Sequence, residues 1–110
     1  MGIKQIEPII DSYLKELKKI ITPKKIIVFG SFASGKANSE SDLDLLVISD
    51  DFIGKSTDER FSVLYQARLH PAMRKMAMDI FGVTQKEYIS ASYLTTLGEV
   101  KETGITVFSA

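Results

Sequence analysis

The chain has 110 residues, of which 45% are hydrophobic and 25% are charged, and its 14 basic side chains balance its 14 acidic ones. These proportions are typical of a single globular domain, which we place at residues 1–110, and they argue against disorder and against a basic nucleic-acid-binding surface over the whole domain. The absence of cysteine excludes a disulfide scaffold, a thiolate zinc site and a thiol nucleophile. No apolar run reaches the ~18 residues that a membrane-spanning helix needs. We therefore expect a cytoplasmic protein with no membrane partner.

The spacing of apolar residues predicts helices that alternate with short strands. From Ile6 to Ile21, apolar side chains recur every three or four residues, which indicates an amphipathic helix. Pro8 fits the first turn of this helix, and Pro23 ends it. Residues 25–29 are rich in β-branched side chains and predict a buried strand.

The rest of the chain continues the alternation. The later predicted elements are a loop or single helical turn at 30–35, a polar loop at 36–41, a strand at 42–48, an acidic loop at 49–56, a helix at 57–69, a strand at 75–83, helical turns to about 102 and an edge strand at 105–108. Thr57 is the predicted N-cap of its helix, and Gly104 fits a helix C-cap. Thr84 and Glu87 have the spacing of a capping box. This order predicts an α/β (α+β) fold, in which a small mixed sheet of three or four strands is flanked by helices.

Asp42 and Asp44 stand out in an acidic middle segment, since residues 26–60 carry three basic and seven acidic side chains. Because side chains alternate along a strand, both carboxylates point to the same face, with their Cα atoms ~6.6–7 Å apart. Two neighbouring acids repel each other unless a cation lies between them, and a hard divalent ion such as Mg²⁺ or Mn²⁺ suits carboxylate oxygens. The pattern is also compatible with a solvated strand end.

Asp79 is a third candidate, because it interrupts an otherwise apolar predicted strand. An unpaired carboxylate is costly to bury, so Asp79 needs a partner. If its strand neighbours the second strand, Asp79 can join the face of Asp42 and Asp44. Three carboxylates could then hold two cations ~3.5–4 Å apart. This is the arrangement of metal ions that serves in-line phosphoryl displacement. The alternative is that Asp79 pairs with Arg74, Lys75 or a helix N-terminus.

Gly30 and Ser31 directly follow the first predicted strand. A glycine at this point permits the close approach of backbone or ligand. The turn that follows would present free N–H groups to an anionic phosphate, and the Ser31 hydroxyl can add a donor. On its own the pair is more simply a turn between a strand and a helix. Its significance comes from the carboxylates that follow shortly along the chain.

Together these residues resemble a known signature. Residues 30–35 read Gly-Ser-Phe-Ala-Ser-Gly, and residues 41–47 read Ser-Asp-Leu-Asp-Leu-Leu-Val. They resemble the Gly-Ser-x-Ala-x-Gly … Ser-Asp-x-Asp-Leu-x-Val motif of the minimal nucleotidyltransferases, which belong to the DNA polymerase beta-like superfamily. Asp79 falls where this family places its third carboxylate. The resemblance extends over roughly residues 5–108, although the last third matches only in outline.

The resemblance implies Mg²⁺-dependent transfer of a nucleoside monophosphate, with ATP as the expected substrate. It implies that Asp42, Asp44 and Asp79 are catalytic and bind two Mg²⁺ ions, which Mn²⁺ could replace. Asp79 would ligate the cation that activates the acceptor hydroxyl, or would accept the proton of that hydroxyl. The positions that it assigns to nucleotide binding are Gly30, Ser31, Ser34, Gly35, Lys36 and Ser41.

The resemblance also implies a partner protein. Many small members of the family resemble antitoxins of two-gene modules whose toxin is an all-helical HEPN-domain protein, and some transfer AMP to that toxin. We therefore expect a HEPN-type partner, consider a homo-oligomer as a further assembly, and expect no role for nucleic acid.

One position departs from the family pattern. Ser34 stands where members often carry arginine, so a cation that could contact phosphate is missing there, and Lys36 offers only a point charge. Two alternatives to an enzyme therefore stay open. One is a module that neutralises a partner by contact while its site stays idle, and the other is a sheet domain with a structural or regulatory cation.

Overall fold

The computed structural model describes residues 2–69, 71, 76–91 and 96–110. Within these residues it has five α-helices and one four-stranded sheet. The elements are α1 (Ile3–Leu17), β1 (Lys25–Phe29), α2 (Ser31–Ser34), β2 (Leu43–Ile48), α3 (Thr57–Gln66), β3 (Met78–Val83), α4 (Gln85–Ser90), α5 (Thr96–Thr103) and β4 (Ile105–Ser109). No helix in the described part of the chain is long and apolar enough to span a lipid bilayer.

The sheet is mixed, as the sequence predicts, and its strand order is β3-β2-β1-β4. β1 runs antiparallel to both β2 and β4, whereas β2 and β3 are parallel. A parallel pair needs a crossover connection, and α3 provides it and packs on β3. β3 and β4 are the two edge strands.

Alternate residues of the strands divide the sheet into a core face and an open face. The core face consists of Ile26, Val28, Leu43, Leu45, Val47, Met78 and Ile80, and α1, α3 and Phe52 cover it completely. The α1 side chains that reach this core lie on one side of the helix, as the apolar spacing predicts. Tyr13 donates its buried hydroxyl to the Leu64 carbonyl oxygen at 2.8 Å, and burial raises the pKa of Tyr13. The pair joins α1 to α3 above the sheet.

The open face carries the intervening residues of the same strands. Its members are Ile27, Phe29, Asp44, Leu46, Ile48, Asp79, Phe81 and Val83. Val100 and Leu97 of α5 and Tyr88 of α4 cover part of it and form a second, smaller apolar cluster. The end of this face where Asp44 and Asp79 lie stays accessible, since Asp79 is exposed and Asp44 is only half-buried.

Several predicted element boundaries agree with the structure. β1 has the predicted bounds, and Thr84 and Glu87 form the predicted capping box at the start of α4. The predicted third strand begins in the structure at Met78. Its predicted start, Lys75, lies outside the described residues.

Three predictions about the helices are wrong. α1 ends at Leu17, well before Pro23, so the proline does not end it. Pro8 is the sixth residue of α1 and lies beyond its first turn. The missing N–H there is tolerated because the buried apolar side of α1 offsets the lost hydrogen bond. The N-cap of α3 is Ser56, whose hydroxyl accepts from the Glu59 N–H at 3.2 Å, and Thr57 is the first helical residue.

Gly104 does follow α5, but its φ is not in the left-handed region. A Cβ at this position would lie 2.5 Å from the Ile27 Cγ2 atom and 2.5 Å from the Val100 carbonyl oxygen. The glycine is therefore required because α5 and β1 approach each other closely, and this contact fixes α5 above the open face.

Candidate functional site

The site is built around Asp44 and Asp79, which are register partners in the parallel pair of β2 and β3. Adjacent strands lie ~4.8 Å apart, and partner residues point to the same side of a sheet. The two carboxyl groups therefore share the open face. A parallel pairing shifted by one residue would have sent one of them into the core face.

Asp44 shows the electrostatic effect of this arrangement. Its pKa is raised above the ordinary value of 3.8, first by burial and then by the negative charges of Asp79 and Asp42. Asp42 itself is exposed and directly precedes β2. Like charges held this close favour either a shared proton or a bound cation.

The structure corrects the expected environment of Asp79. The apolar sequence around it suggests a buried carboxylate, yet Asp79 is exposed, because β3 is an edge strand and no described part of the chain covers this end of the open face. Desolvation therefore gives no reason for Asp79 to need a partner. The alternative partners Arg74 and Lys75 lie outside the described residues.

Gly30 touches the same carboxylate from the other side. The antiparallel register pairs Phe29 with Asp44, and the chain turns at Gly30 with φ of 70°. A Cβ at Gly30 would overlap the Asp44 oxygen Oδ2. Glycine is therefore required twice, for its backbone conformation and for the space that the Asp44 carboxyl group occupies.

α2 follows Gly30 as a single helical turn. Its first backbone hydrogen bonds run from the Ala33 and Ser34 N–H groups to the Gly30 carbonyl oxygen, each at 3.1 Å. The earlier N–H groups of such a turn have no partner within it, so those of Ser31 and Phe32 can serve a ligand. Gly35 ends the turn in the left-handed conformation, with φ of 77°.

An open cleft of about 460 Å³ lies between α2, the open face and α5. Its lining residues are Phe29, Gly30, Ser34, Asp44, Glu99, Val100 and Thr103. Three of the predicted site residues, Gly30, Ser34 and Asp44, thus line the same cleft. The wall formed by α5 was missed by the sequence reasoning, because α5 is brought to this place by the packing of Val100 and Leu97 on the open face and by the close approach of Gly104 to Ile27, and no local pattern encodes these contacts.

The other predicted nucleotide-binding residues lie around this cleft without lining it. Lys36 is exposed after α2, and its N–H donates to the Ser31 carbonyl oxygen at 3.0 Å. The Ser41 hydroxyl accepts from the Asn38 N–H at 2.9 Å and holds the loop before β2. Ser34, which does line the cleft, donates its hydroxyl to the Ser31 carbonyl oxygen at 3.2 Å.

The donor atoms at this site suit a hard divalent cation. Among the described residues, no three or more Asp, Glu or His side chains converge closely enough to enclose a metal ion by themselves. Mg²⁺ does not need such an enclosure, since it commonly uses one or two carboxylates together with water and substrate phosphates. The carboxyl pair and the neighbouring charge of Asp42 fit this mode of binding.

Comparison with known sequences gives a consistent result. Residues 10–102 match the nucleotidyltransferase domain family. A protein adenylyltransferase, MntA of Thermococcus cleftensis, is 40% identical to this chain over 47 residues, which make up 43% of this chain and 48% of that protein. The chain thus spans about half the length of this curated relative.

Comparison with solved structures shows the same fold. A toxin–antitoxin crystallised with AMP-PNP superposes with a TM-score of 0.64 at 20% identity, over 91% of this chain and 73% of that one. A mutant of the toxin–antitoxin MntA-HpeT superposes with a TM-score of 0.61 at 17% identity, over 91% of this chain and 72% of that one. The mixed sheet with flanking helices is the fold that these proteins share.

Proposed function

The chain belongs to the nucleotidyltransferase domain family, and from this premise we propose that it transfers a nucleoside monophosphate, AMP from ATP, to a hydroxyl group of a partner protein. The observation that carries the proposal is the in-register pair of Asp44 and Asp79, with Gly30 held against the Asp44 carboxyl group. The pair offers oxygen ligands for a cation, and the glycine turn places unpaired N–H groups beside them. Together these groups suit a metal-bound triphosphate.

Asp42, Asp44 and Asp79, together with water and the substrate phosphates, would hold two Mg²⁺ ions, or Mn²⁺ in their place. Bound metal supplies positive charge that offsets the charge of the triphosphate and of the departing pyrophosphate. The raised pKa of Asp44 fits this role, since its causes, burial first and then the negative charges of Asp79 and Asp42, are ones that a bound cation would offset. Of the three carboxylates, Asp79 is the one on the outer strand and can face an incoming acceptor.

In the proposed reaction the acceptor oxygen forms a bond to the α-phosphorus, and the bond from that phosphorus to the β-phosphate oxygen breaks. Pyrophosphate leaves, and Asp79 accepts the proton of the acceptor hydroxyl. The turn from Gly30 to Gly35 would hold the phosphates through its N–H groups and the hydroxyls of Ser31 and Ser34. Lys36 and Ser41 would support the edge of this phosphate site.

We propose that the acceptor is the toxin of a toxin–antitoxin pair, of the HEPN type, and that this chain is the antitoxin. The names of the matched proteins, a protein adenylyltransferase and two toxin–antitoxin assemblies, support the toxin–antitoxin part of this assignment. The cleft is open, so the acceptor and part of the nucleotide can be held by the partner or by a second copy of the chain.

A second candidate function is inhibition of a partner by contact alone, with an idle site. It is favoured by the lining of the cleft, which has Asp44 and Glu99 but no basic side chain among the described residues. Ser34, at the position where relatives often carry arginine, turns its hydroxyl back to the Ser31 carbonyl oxygen. Within the cleft itself, phosphate charge would then have to be offset by metal alone.

The experiment is incubation of the chain with Mg²⁺, the protein encoded by the adjacent gene, and ATP labelled at either the α- or the γ-phosphate. Transfer of AMP predicts that the partner is labelled from α-labelled ATP but not from γ-labelled ATP. Asp44→Asn should abolish the labelling, whereas the exposed Asp11→Asn, on α1, should not. Complex formation without any label would refute the enzyme and support inhibition by contact.

A further inference from the structure

We propose that an apolar groove beside the carboxyl pair holds the nucleobase of the triphosphate, and that Phe81 is the surface on which the base stacks. This inference rests on the proposed function. It assigns a binding place to the nucleobase, the part of the substrate that the phosphate site does not contact. The groove measures about 380 Å³, which is the size of a small-molecule site. Its aromatic and aliphatic lining comes from β1, β2, β3, α3 and α5, and includes Phe29, Phe61, Phe81, Leu97 and Val100.

Phe81 is unusual in its exposure. It lies in the middle of β3, yet 45% of its surface is accessible. Its ring is held between two others, with the centroid of Phe29 at 6.0 Å and that of Phe61 at 6.3 Å, and Phe61 stacks on Tyr65 at 5.6 Å. A ring fixed on both sides and free on its outer surface is preorganised for a planar ligand, because little side-chain entropy is lost on binding.

The groove continues directly from the candidate phosphate site. Phe29 and Val100 line both the groove and the cleft beside Gly30. Phe81 follows Asp79 by two residues on the same face of β3, which sets the two Cα atoms ~6.6–7 Å apart. In a nucleoside monophosphate unit only the sugar separates the phosphate from the base. An α-phosphate at the carboxyl pair therefore brings the base over Phe81, while the β- and γ-phosphates extend toward α2.

The charges of the groove favour a base over a phosphate or an acidic peptide. Arg60 is the basic side chain in the lining of the groove, and its guanidinium group already makes hydrogen bonds within the protein. It donates to the carbonyl oxygens of Lys55, Phe52 and Gly82 at 3.1 Å each and to the Glu87 carboxylate at 2.7 Å. The groove thus offers stacking and apolar contact, which suit the flat surface of a base.

The experiment measures binding of two ligands to the whole chain by calorimetry in Mg²⁺, namely ATP and inorganic tripolyphosphate. The second ligand has the phosphates but no base. We expect Phe81→Ala to weaken ATP binding by roughly 5- to 150-fold, the range of base–aromatic stacking, and to leave tripolyphosphate binding unchanged. Phe81→Tyr should restore ATP binding, and Phe81→Leu, which keeps apolar volume without an aromatic surface, should not.

The control variant is Ile89→Ala on α4, because Ile89 is 62% exposed and lines neither the cleft nor the groove. It should bind both ligands as the wild type does. The tripolyphosphate measurement also reports whether each variant keeps a folded phosphate site, so a misfolded variant cannot imitate the expected result.

The following outcomes would overturn the inference. Phe81→Ala could bind ATP as tightly as the wild type, or could lose both ligands equally. It could also keep its ATP affinity and instead change the oligomeric state or the capture of the partner, which would assign the groove to a protein. If the wild type failed to bind tripolyphosphate at all, the phosphate site of the proposed function would fall, and the base site with it.

Discussion

The two faces of the sheet use the same strands for different purposes. On β3, Met78 and Ile80 point into the closed core, whereas Asp79 and Phe81 are exposed on the open face. On β2, Leu45 is buried under α1 while its neighbour Asp44 faces the cleft. The alternation of side chains along a strand thus lets one surface supply stability while the other carries charge and an open aromatic ring. Packing on the core face fixes the positions of the residues on the open face.

The largest expected effect concerns activity on the open face. Asp79→Asn keeps the shape of the side chain but removes its capacity to accept a proton, and we expect transfer to fall ~10²- to 10⁴-fold. Its free energy of unfolding should be nearly unchanged, because Asp79 is exposed. Rate measurements with α-labelled ATP, together with urea unfolding, test both expectations. A large loss of stability would mean that Asp79 belongs to the structural part of the sheet.

The next prediction compares neighbours on one strand. Ile80→Ala should lower the free energy of unfolding by about 2–5 kcal/mol, since Ile80 is completely buried in the core face. Phe81→Ala should cost clearly less, although it removes more atoms, because Phe81 is half-exposed. Urea titrations of the two variants provide the comparison. Equal losses would show that the open face is as tightly packed as the core face.

Gly30 and Gly35 allow backbone strain to be separated from crowding at the site. Both have positive φ, but a Cβ at Gly35 would have no heavy atom within 4 Å, whereas one at Gly30 would overlap the Asp44 carboxyl group. Gly35→Ala should therefore cost only the backbone strain, about 1–2 kcal/mol. Gly30→Ala should cost more and should also displace Asp44 and weaken binding of Mg²⁺–ATP. Unchanged nucleotide affinity in Gly30→Ala would contradict the assigned role of this contact.

The smallest expected effects are opposite pH dependences at two carboxyl groups. Without metal, the ionised form of Asp44 destabilises the fold, because its pKa is raised chiefly by burial and by Asp79. Asp44→Asn should therefore be more stable than the wild type at neutral pH. This advantage should fade as the pH falls through the raised pKa toward the ordinary value of 3.8.

Glu87 should behave in the opposite way. The hydrogen bond that Glu87 accepts from the Thr84 N–H lowers the pKa of Glu87, and Arg60 lowers it further. Burial acts in the opposite direction but is the weaker effect. Its ionised form stabilises the fold above the ordinary pKa, and the contribution is lost as the pH falls through the lowered value. Glu87→Gln should be less stable than the wild type at neutral pH by under ~1 kcal/mol, with the deficit vanishing in acid. Thermal unfolding in EDTA across pH 3–7 tests both variants, and slopes of the same sign would contradict this account.

Much of the fold could be predicted from local patterns. β1 is a β-branched run that ends at a glycine, and the Thr84–Glu87 box is a local hydrogen-bonding unit, so both depend on few residues beyond themselves. Pro8 and Ser56 show the limit of such reasoning. The start of α1 is set by its core contacts, and adjacent hydroxyl residues compete for one N-cap position.

The carboxylates of the site could be predicted from the sequence, whereas their surroundings could not. Asp42, Asp44 and Asp79 are visible in the sequence, but the exposure of Asp79 depends on β3 being an edge strand. The α5 wall and the aromatic groove depend on contacts between distant segments, such as Gly104 with Ile27 and Phe81 with Phe29. No local periodicity encodes those contacts.

The most direct test of the central claim is the position of a bound metal–nucleotide complex on the sheet. Substoichiometric Mn²⁺ with ATP broadens the amide resonances nearest to it in a ¹H–¹⁵N correlation spectrum. The account predicts that the amides of Gly30, Ser31, Asp44 and Asp79 broaden first, that the Tyr13 amide across the sheet stays sharper, and that Asp44→Asn abolishes the effect. Broadening centred on the α1 side, or broadening that persists unchanged in Asp44→Asn, would contradict it.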